Sequence, residues 1–313
     1  MEYILLIIGF VLLIKGADFF VDGASSIAAK LKVPSLIIGL TVVSIGTSLP
    51  EAAVSISASL SGNNGISLGN VVGSNLFNLL VVVGVSAMIL PMATDSDVLK
   101  RDMPINIFIT VILFVMLMDG GDLSRLDAAI LLVMLVAYIL LLIRSALKNR
   151  TEEDSQKIMT WPRSILFSLV GACAIIFGGQ LVVESAKVIA ASLGMGETLI
   201  GLTVVAFGTS LPELVTSIVA AKKGDSGIAM GNVVGSCIFN ILFILGLAGV
   251  ISPMAADSVF FIDTGILIFV SAMMLLFAYT GKKTNRVEGA ISLLVYIAYT
   301  AYIIMRAFHI WIF

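Results

Sequence analysis

Residues 38–51 read IGLTVVSIGTSLPE and residues 200–213 read IGLTVVAFGTSLPE, twelve identical positions of fourteen at an offset of 162 in a chain of 313. The offset then holds without a gap. GISLGNVVGSNLFN at 65–78 matches GIAMGNVVGSCIFN at 227–240, Pro91-Met92 matches Pro253-Met254, and Gly16 matches Gly178. The chain is one unit written twice, and each copy sets a carboxylate, Glu51 or Glu213, in an apolar segment broken by Gly and Pro. Two such broken, charged segments in corresponding places point to the ion site of a transporter built from repeats.

The chain is 59% hydrophobic and 12% charged. A soluble fold of this length cannot cover so much apolar surface, whereas a polytopic helical membrane protein leaves it to lipid. No soluble domain, nucleotide motif or HxxE-type metal site is visible, so no enzyme, cofactor or nucleic-acid partner is expected. Met1-Glu2 leads into an apolar stretch without a basic segment, so no cleavable signal is expected. Cys173 and Cys237 lie in apolar segments and read as small buried residues, not a disulfide.

Hydropathy predicts ten spans, at about 3–29, 34–60, 66–91, 104–118, 126–147, 162–190, 197–221, 226–251, 262–280 and 287–308. Each repeat contributes five, over 1–148 and 162–313. An odd number makes the second copy enter the membrane upside down, so two inverted five-helix repeats of an all-α membrane protein are expected. With the N-terminus outside, fourteen of the eighteen Lys and Arg residues fall in cytoplasmic connections and three, Arg125, Lys187 and Arg306, fall outside. That asymmetry places both termini outside and the polar 149–161 linker in the cytoplasm of an inner or plasma membrane.

In Gly46-Thr47-Ser48-Leu49-Pro50-Glu51, Pro50 lacks an N–H and crowds the carbonyl of Gly46. Gly46 tolerates the bend, and Thr47 and Ser48 can satisfy the freed backbone. Carbonyl and hydroxyl oxygens gathered beside a carboxylate suit a hard cation such as Na⁺ or Ca²⁺. Gly208-Thr209-Ser210-Leu211-Pro212-Glu213 builds the same cluster from the other direction. The competing reading pairs each Glu with a buried base, but Lys15 is the only basic residue deep in a span. Ser74 and Asn78 stand four apart, as do Ser236 and Asn240, so each pair can face one point. Gly69 and Gly73 read as helix-packing positions.

GTSLPE in both halves, followed by GNVVGS-x-x-F-N, resembles the two α-repeats of the cation/calcium exchanger superfamily, most closely the prokaryotic sodium/calcium exchanger branch. The resemblance covers nearly the whole chain. It implies a secondary antiporter that exchanges Na⁺ for Ca²⁺ by alternating access, with those ions and the bilayer as its partners and no obligate protein partner. It implies Glu51 and Glu213 as carboxylates shared by Ca²⁺ and Na⁺, and backbone carbonyls of Thr47 and Thr209 for Ca²⁺. Ser48, Ser210, Ser74 and Ser236 would serve Na⁺ sites with the carbonyls of Ser44 and Ala206, and Asn78 and Asn240 would line the centre. Some members carry Asp where this chain has Asn240, and Asn in both copies argues against K⁺ transport. H⁺/Ca²⁺ exchange ranks second, and a cation channel third, because a channel favours a symmetric ring.

Overall fold

The computed structural model describes residues 1–118, 122–148, 159–194, 206–255 and 258–307. It is almost entirely helical: α1 (Glu2–Leu31), α2 (Ser35–Thr47), α3 (Leu49–Leu60), α4 (Asn64–Ile89), α5 (Val98–Met118), α6 (Arg125–Lys148), α7 (Trp161–Ser192), α8 (Ala206–Thr209), α9 (Leu211–Lys222), α10 (Ser226–Ile251), α11 (Ser258–Tyr279) and α12 (Arg286–Ala307). Among the described residues, eight helices are long and apolar enough to cross a membrane. A ninth span results if α2 and α3, bent by 50° at Ser48, count together. The seventh expected span, 197–221, lies partly outside the described residues, as does most of the 149–161 linker.

Burial is inverted relative to a soluble protein. Ile4, Ile7 and Val11 on α1, Val133 and Leu140 on α6, and Leu166, Leu169 and Phe177 on α7 are exposed. Ser44, Thr47, Ser48, Glu51, Asn78, Ser210, Glu213, Asn232, Ser236 and Asn240 are buried. Apolar side chains outside and polar groups inside is the arrangement a lipid solvent selects. Cys237 is buried as expected, but Cys173 is exposed on α7; both are free thiols.

The most extensive packing joins α1 to α7. Gly9 lies against the Gly178 carbonyl, Gly16 against that of Gly171, and Gly23 against Ser164 and Ser168. Contacts that ascend α1 descend α7, so the first helices of the two copies run antiparallel. A Cβ on Gly16 would stand 2.9 Å from the Ala174 Cβ, and one on Gly171 would stand 2.5 Å from the Phe20 nitrogen. Small residues let the two backbones meet, which is how membrane helices associate without a hydrophobic driving force. Gly69 and Gly73 on α4 differ from this expectation among the described residues. A Cβ on Gly69 would meet Phe260 at 3.8 Å, and one on Gly73 would meet nothing within 4 Å.

Among the described residues, four two-residue strands link the copies: β1 (Met92–Ala93) pairs with β4 (Lys283–Thr284), and β2 (Asp122–Leu123) with β3 (Met254–Ala255), both antiparallel.

Two boundaries differ from the hydropathy reading. Helix α5 begins at Val98, not 104, because Asp102 is bound by Arg101 through Nε and Nη2, each at 2.9 Å, and by the Tyr138 hydroxyl at 3.1 Å. Hydropathy counts Arg and Asp as separate penalties, whereas the bidentate pair enters the helix as one neutral unit. Helix α11 starts at Ser258, not 262, and carries Asp263 bonded to Arg306 at 3.1 Å.

The α1–α7 contact yields a stability prediction. Gly171→Ala should destabilise the detergent-solubilised protein by about 1–3 kcal/mol through overpacking. Gly65→Ala, whose Cβ would meet only Phe260 at 3.9 Å, should be neutral or better. Equal thermal midpoints for the two variants would remove the close-packing argument.

Candidate cation site

The site sits at two helix breaks. Helix α2 ends at Thr47, Ser48 leaves the helix at φ −84° and ψ 7°, and α3 starts at Leu49 with Pro50 in its first turn. The second copy repeats this: α8 ends at Thr209, Ser210 has φ −94° and ψ 7°, and α9 starts at Leu211 with Pro212 in its first turn. Proline's missing N–H costs nothing in a first turn. The break therefore falls at the serine, two residues beyond the expected Gly46. Gly46 admits the Phe20 ring, and Gly208 admits Val183. Those glycines serve close approach to α1 and α7, not the bend.

Glu51 and Glu213 thus lie in the first turns of α3 and α9, where free N–H groups and the helix dipole favour negative charge. Both are 0% exposed. The Ser48 hydroxyl donates to Glu213 Oε1 at 2.8 Å, and the Ser210 hydroxyl donates to Glu51 Oε1 at 3.0 Å. Each break therefore serves the carboxylate of the other copy. Ser236 adds a long contact to Glu213 Oε1 at 3.5 Å. Among the described residues, no ion pair involves either Glu. Lys15 is exposed and stands beside Asp18.

Two asparagines hold this arrangement. Asn70 donates to the Glu51 carbonyl at 3.2 Å and to Ser55 Oγ at 2.9 Å. Asn232 donates to the Glu213 carbonyl at 3.3 Å and to Ser217 Oγ at 3.0 Å, and accepts from the Thr47 hydroxyl at 2.9 Å. Sequence reading gave these residues no role. The available signal was their exact repetition within GNVVGS together with Ser55 and Ser217 at the same offset.

The remaining expected residues distribute as follows. The Ser44 hydroxyl donates to the carbonyls of Leu40 and Thr41, and its own carbonyl accepts the Ser48 N–H at 3.0 Å. Ala206 opens α8. Ser74 and Ser236 are buried on α4 and α10, one turn before Asn78 and Asn240. Both asparagines open π-helical turns, Asn78–Val82 and Asn240–Leu245. Such turns are frequent at functional sites because the widened ladder leaves carbonyls less tightly paired.

Glu51 Oε2, Glu213 Oε2, Asn78 Oδ1, Asn240 Oδ1 and Thr209 Oγ1 are buried with no hydrogen-bond partner among the described residues. Orphaned polar oxygens are costly in a protein interior. Two carboxylates and several neutral oxygens form a donor set for a hard cation. The described residues hold no cluster of three or more His, Cys, Asp or Glu side chains, so the donor set is not that of a zinc-type centre.

A cavity of about 400 Å³ opens beside the second break, lined by Pro50, Gly179, Gln180, Glu184, Thr209 and Pro212 among others. The corresponding positions beside α1 carry different contacts. Phe20 lies on Gly46, and Lys223 donates to Asp22 Oδ1 at 2.6 Å and to the Asp18 carbonyl at 2.8 Å.

Fold and site together define a multi-pass helical membrane protein with two buried carboxylates at facing helix breaks. A model of the sodium/calcium exchanger protein family matches residues 1–144 and 163–305. The sodium/calcium exchanger MaX1 of Methanosarcina acetivorans is 38% identical over 95% of this chain and 97% of its own. The inner membrane protein YrbG of Escherichia coli is 38% identical over 88% of each chain. A structure of the sodium-calcium exchanger NCX_Mj superposes with a TM-score of 0.84 at 32% identity, covering 96% of this chain and 98% of that one. The chain belongs to the sodium/calcium exchanger family; MaX1 and NCX_Mj are exchangers, not enzymes.

The scaffold asparagines differ in a measurable way. Asn232→Ala removes three hydrogen bonds and Asn70→Ala two, and each contributes about 0.5–1.5 kcal/mol. Asn232→Ala should therefore lower the thermal midpoint more than Asn70→Ala. The reverse order would mean that the Thr47–Asn232 contact carries no stability.

Proposed function

We propose that this protein is a secondary antiporter that exchanges Na⁺ for Ca²⁺ by alternating access. In this reading 1–148 and 162–313 form inverted repeats of five spans each, with 149–161 joining them in the cytoplasm. The observation that carries it is the reciprocal pair Ser48–Glu213 and Ser210–Glu51 around two fully buried carboxylates that no base among the described residues neutralises. A charge at the helix centre costs roughly 2.5 kcal/mol or more. Two such charges on facing breaks are accounted for by a divalent cation as cargo. Glu51, Glu213, the carbonyls of Thr47 and Thr209, and Asn78 and Asn240 would hold Ca²⁺. Ser48, Ser210, Ser74 and Ser236, with the carbonyls of Ser44 and Ala206, would extend the site for Na⁺.

Coupling to Na⁺ rather than H⁺ rests on the hydroxyls. Proton exchange needs only the two carboxylates, whereas a dehydrated Na⁺ needs neutral oxygens around it. The sodium/calcium exchangers among the relatives support the same choice.

The antiparallel course of α1 and α7 supports inversion, and cross-copy pairings support the orientation. The connections carrying β1 and β4, Asp22 and Lys223, and Ser26 and Met159 all fall on the side rich in Lys and Arg. Those carrying β2 and β3, and Asn64 and Pro253, fall on the other. By the positive-inside rule the first side is cytoplasmic, both termini lie outside an inner or plasma membrane, and the cavity at Glu184 and Lys187 opens outward.

In proteoliposomes, radiolabelled Ca²⁺ uptake should follow an imposed Na⁺ gradient. Glu51→Gln and Glu213→Gln should each reduce it to background, because one carboxylate balances half the charge of Ca²⁺. Uptake driven by a pH gradient alone would replace Na⁺ with H⁺ as the coupling ion, and uptake without any gradient would indicate a channel. Near-normal flux in either folded variant would remove the two-carboxylate site.

The orientation has its own test, made in a Cys173→Ser background because Cys173 is exposed. Gln180→Cys should react with an impermeant maleimide in intact cells, and a cysteine placed in the 149–157 linker only after permeabilisation. The opposite pattern would invert the topology.

A further inference from the structure

At the offset of 162, Asn75 corresponds to Cys237, one of the few positions at which the second repeated motif differs between copies. The two residues meet in the core. Asn75, 1% exposed, donates from Nδ2 to the Cys237 carbonyl at 3.0 Å, and its Oδ1 accepts from Asn240 Nδ2 at 3.0 Å. The Cys237 thiol lies 3.8 Å from the Asn75 carbonyl.

These contacts form a chain whose polarity is set at one end. A backbone carbonyl only accepts, so the Asn75 amide must present its nitrogen to Cys237 and its oxygen to Asn240. Asn240 must then direct its nitrogen to Asn75, which leaves Oδ1 as the atom free to face a ligand. That oxygen is buried and has no partner among the described residues. Asn240 also follows by one helical turn Ser236, whose hydroxyl approaches Glu213, so the two residues share a helix face. The first copy lacks this relay among the described residues. Its Asn78 is equally buried, but Cys237 stands where the second asparagine of the relay would be, and its thiol is the group beside the Asn78 amide. Neither Oδ1 nor Nδ2 of Asn78 reaches hydrogen-bond geometry with a described residue, and a thiol, weak as donor and as acceptor, does not fix which end of the amide it faces. An amide that faces a cation with its nitrogen contributes repulsion instead of a ligand, so the orientation has a direct electrostatic consequence.

We propose that Asn75 is a positioning residue that fixes Asn240 with its amide oxygen toward the transported cation, so that Asn240 is a preset acceptor while the Asn78 amide, beside the Cys237 thiol, is not held in one orientation. The inference rests on the cation-site reading above. Asn75 touches no ion; it acts through Asn240.

The test is equilibrium Ca²⁺ binding to the detergent-purified protein by titration calorimetry, with Asn75→Leu made alone and in two further backgrounds. Alone, it should weaken Ca²⁺ binding about tenfold, roughly 1.4 kcal/mol. In an Asn240→Asp background the loss should shrink below about twofold, since a carboxylate presents oxygen whichever way it turns. In an Asn240→Ala background it should likewise vanish, which keeps the test readable if the Asp variant does not fold. Equal losses in all backgrounds would make Asn75 a packing residue, and no loss in the single variant would overturn the relay outright. A wild-type protein that binds no Ca²⁺, or a Glu213→Gln variant that binds it undiminished, would instead defeat the underlying site. Failure of the relay alone leaves both of those results as expected.

Discussion

Two carboxylates buried at facing helix breaks, with hydroxyls and no base for company among the described residues, are the constraint around which the rest of this structure is arranged. As ionised carboxylates, Glu51 and Glu213 are tolerable in a membrane interior only if their environment supplies positive potential, here without a compensating side chain among the described residues. The first turns of α3 and α9 supply some of it through free N–H groups and the helix dipole. Ser48 and Ser210 supply more, each donating across to the other copy's Glu. What remains is two unpartnered carboxylate oxygens, and a mobile cation is the natural complement to them. A fixed lysine would satisfy the same charges and could never leave.

That arrangement explains why the breaks must be reciprocal. A serine that capped the Glu of its own helix would hold one copy together and leave the copies independent. Because Ser48 serves Glu213 and Ser210 serves Glu51, neither carboxylate is satisfied unless both breaks are in register. Asn232 extends the coupling by joining the Glu213 carbonyl and Ser217 to Thr47 of the other copy. Displacing one half therefore disturbs the oxygens of both, which is the physical requirement for a cation site to change its accessibility as a unit.

Much of this was legible in the residues, and what was not has physical causes. The repeat, the Glu pair and the hydroxyls were visible because the repetition was nearly letter for letter. Ser48 lies three residues from Glu51 in sequence, yet it bonds Glu213. A one-dimensional reading cannot see that a residue at a break turns away from its own helix. Pro50 and Pro212 announced a break but not its place, since proline settles into the first turn after an interruption instead of marking it. Asn70 and Asn232 stood within a motif without a role, because their work depends on how α4 packs against α3 and α10 against α9. The turn at 98–102 was missed because Arg101 and Asp102 are polar singly and nearly neutral together.

Symmetry of sequence and asymmetry of state meet at α1 and α7. Gln180, Glu184 and Lys187 on α7 line the open cavity, with Glu184 and Lys187 paired to each other at 2.7 Å. At the offset of 162 their counterparts on α1 are Asp18, Asp22 and Ser25. There Lys223 reaches Asp22 and the Asp18 carbonyl, and Ser25 donates to Asp225 Oδ2 at 2.9 Å. Equivalent positions of the two repeats thus carry different contacts, a cavity reaching Thr209 and Pro212 at one and bonds from Lys223 and to Asp225 at the other. Two similar units with closely matched packing can exchange these roles with little change in free energy, because interactions that break on one side re-form on the other. The α1–α7 interface combines glycines that let the backbones meet with side-chain contacts toward one end, Ser26 with Ser164 at 2.8 Å and Phe19 edge-on to Phe167. On the proposed reading, the duplication supplies both halves of the transport cycle from one set of interactions.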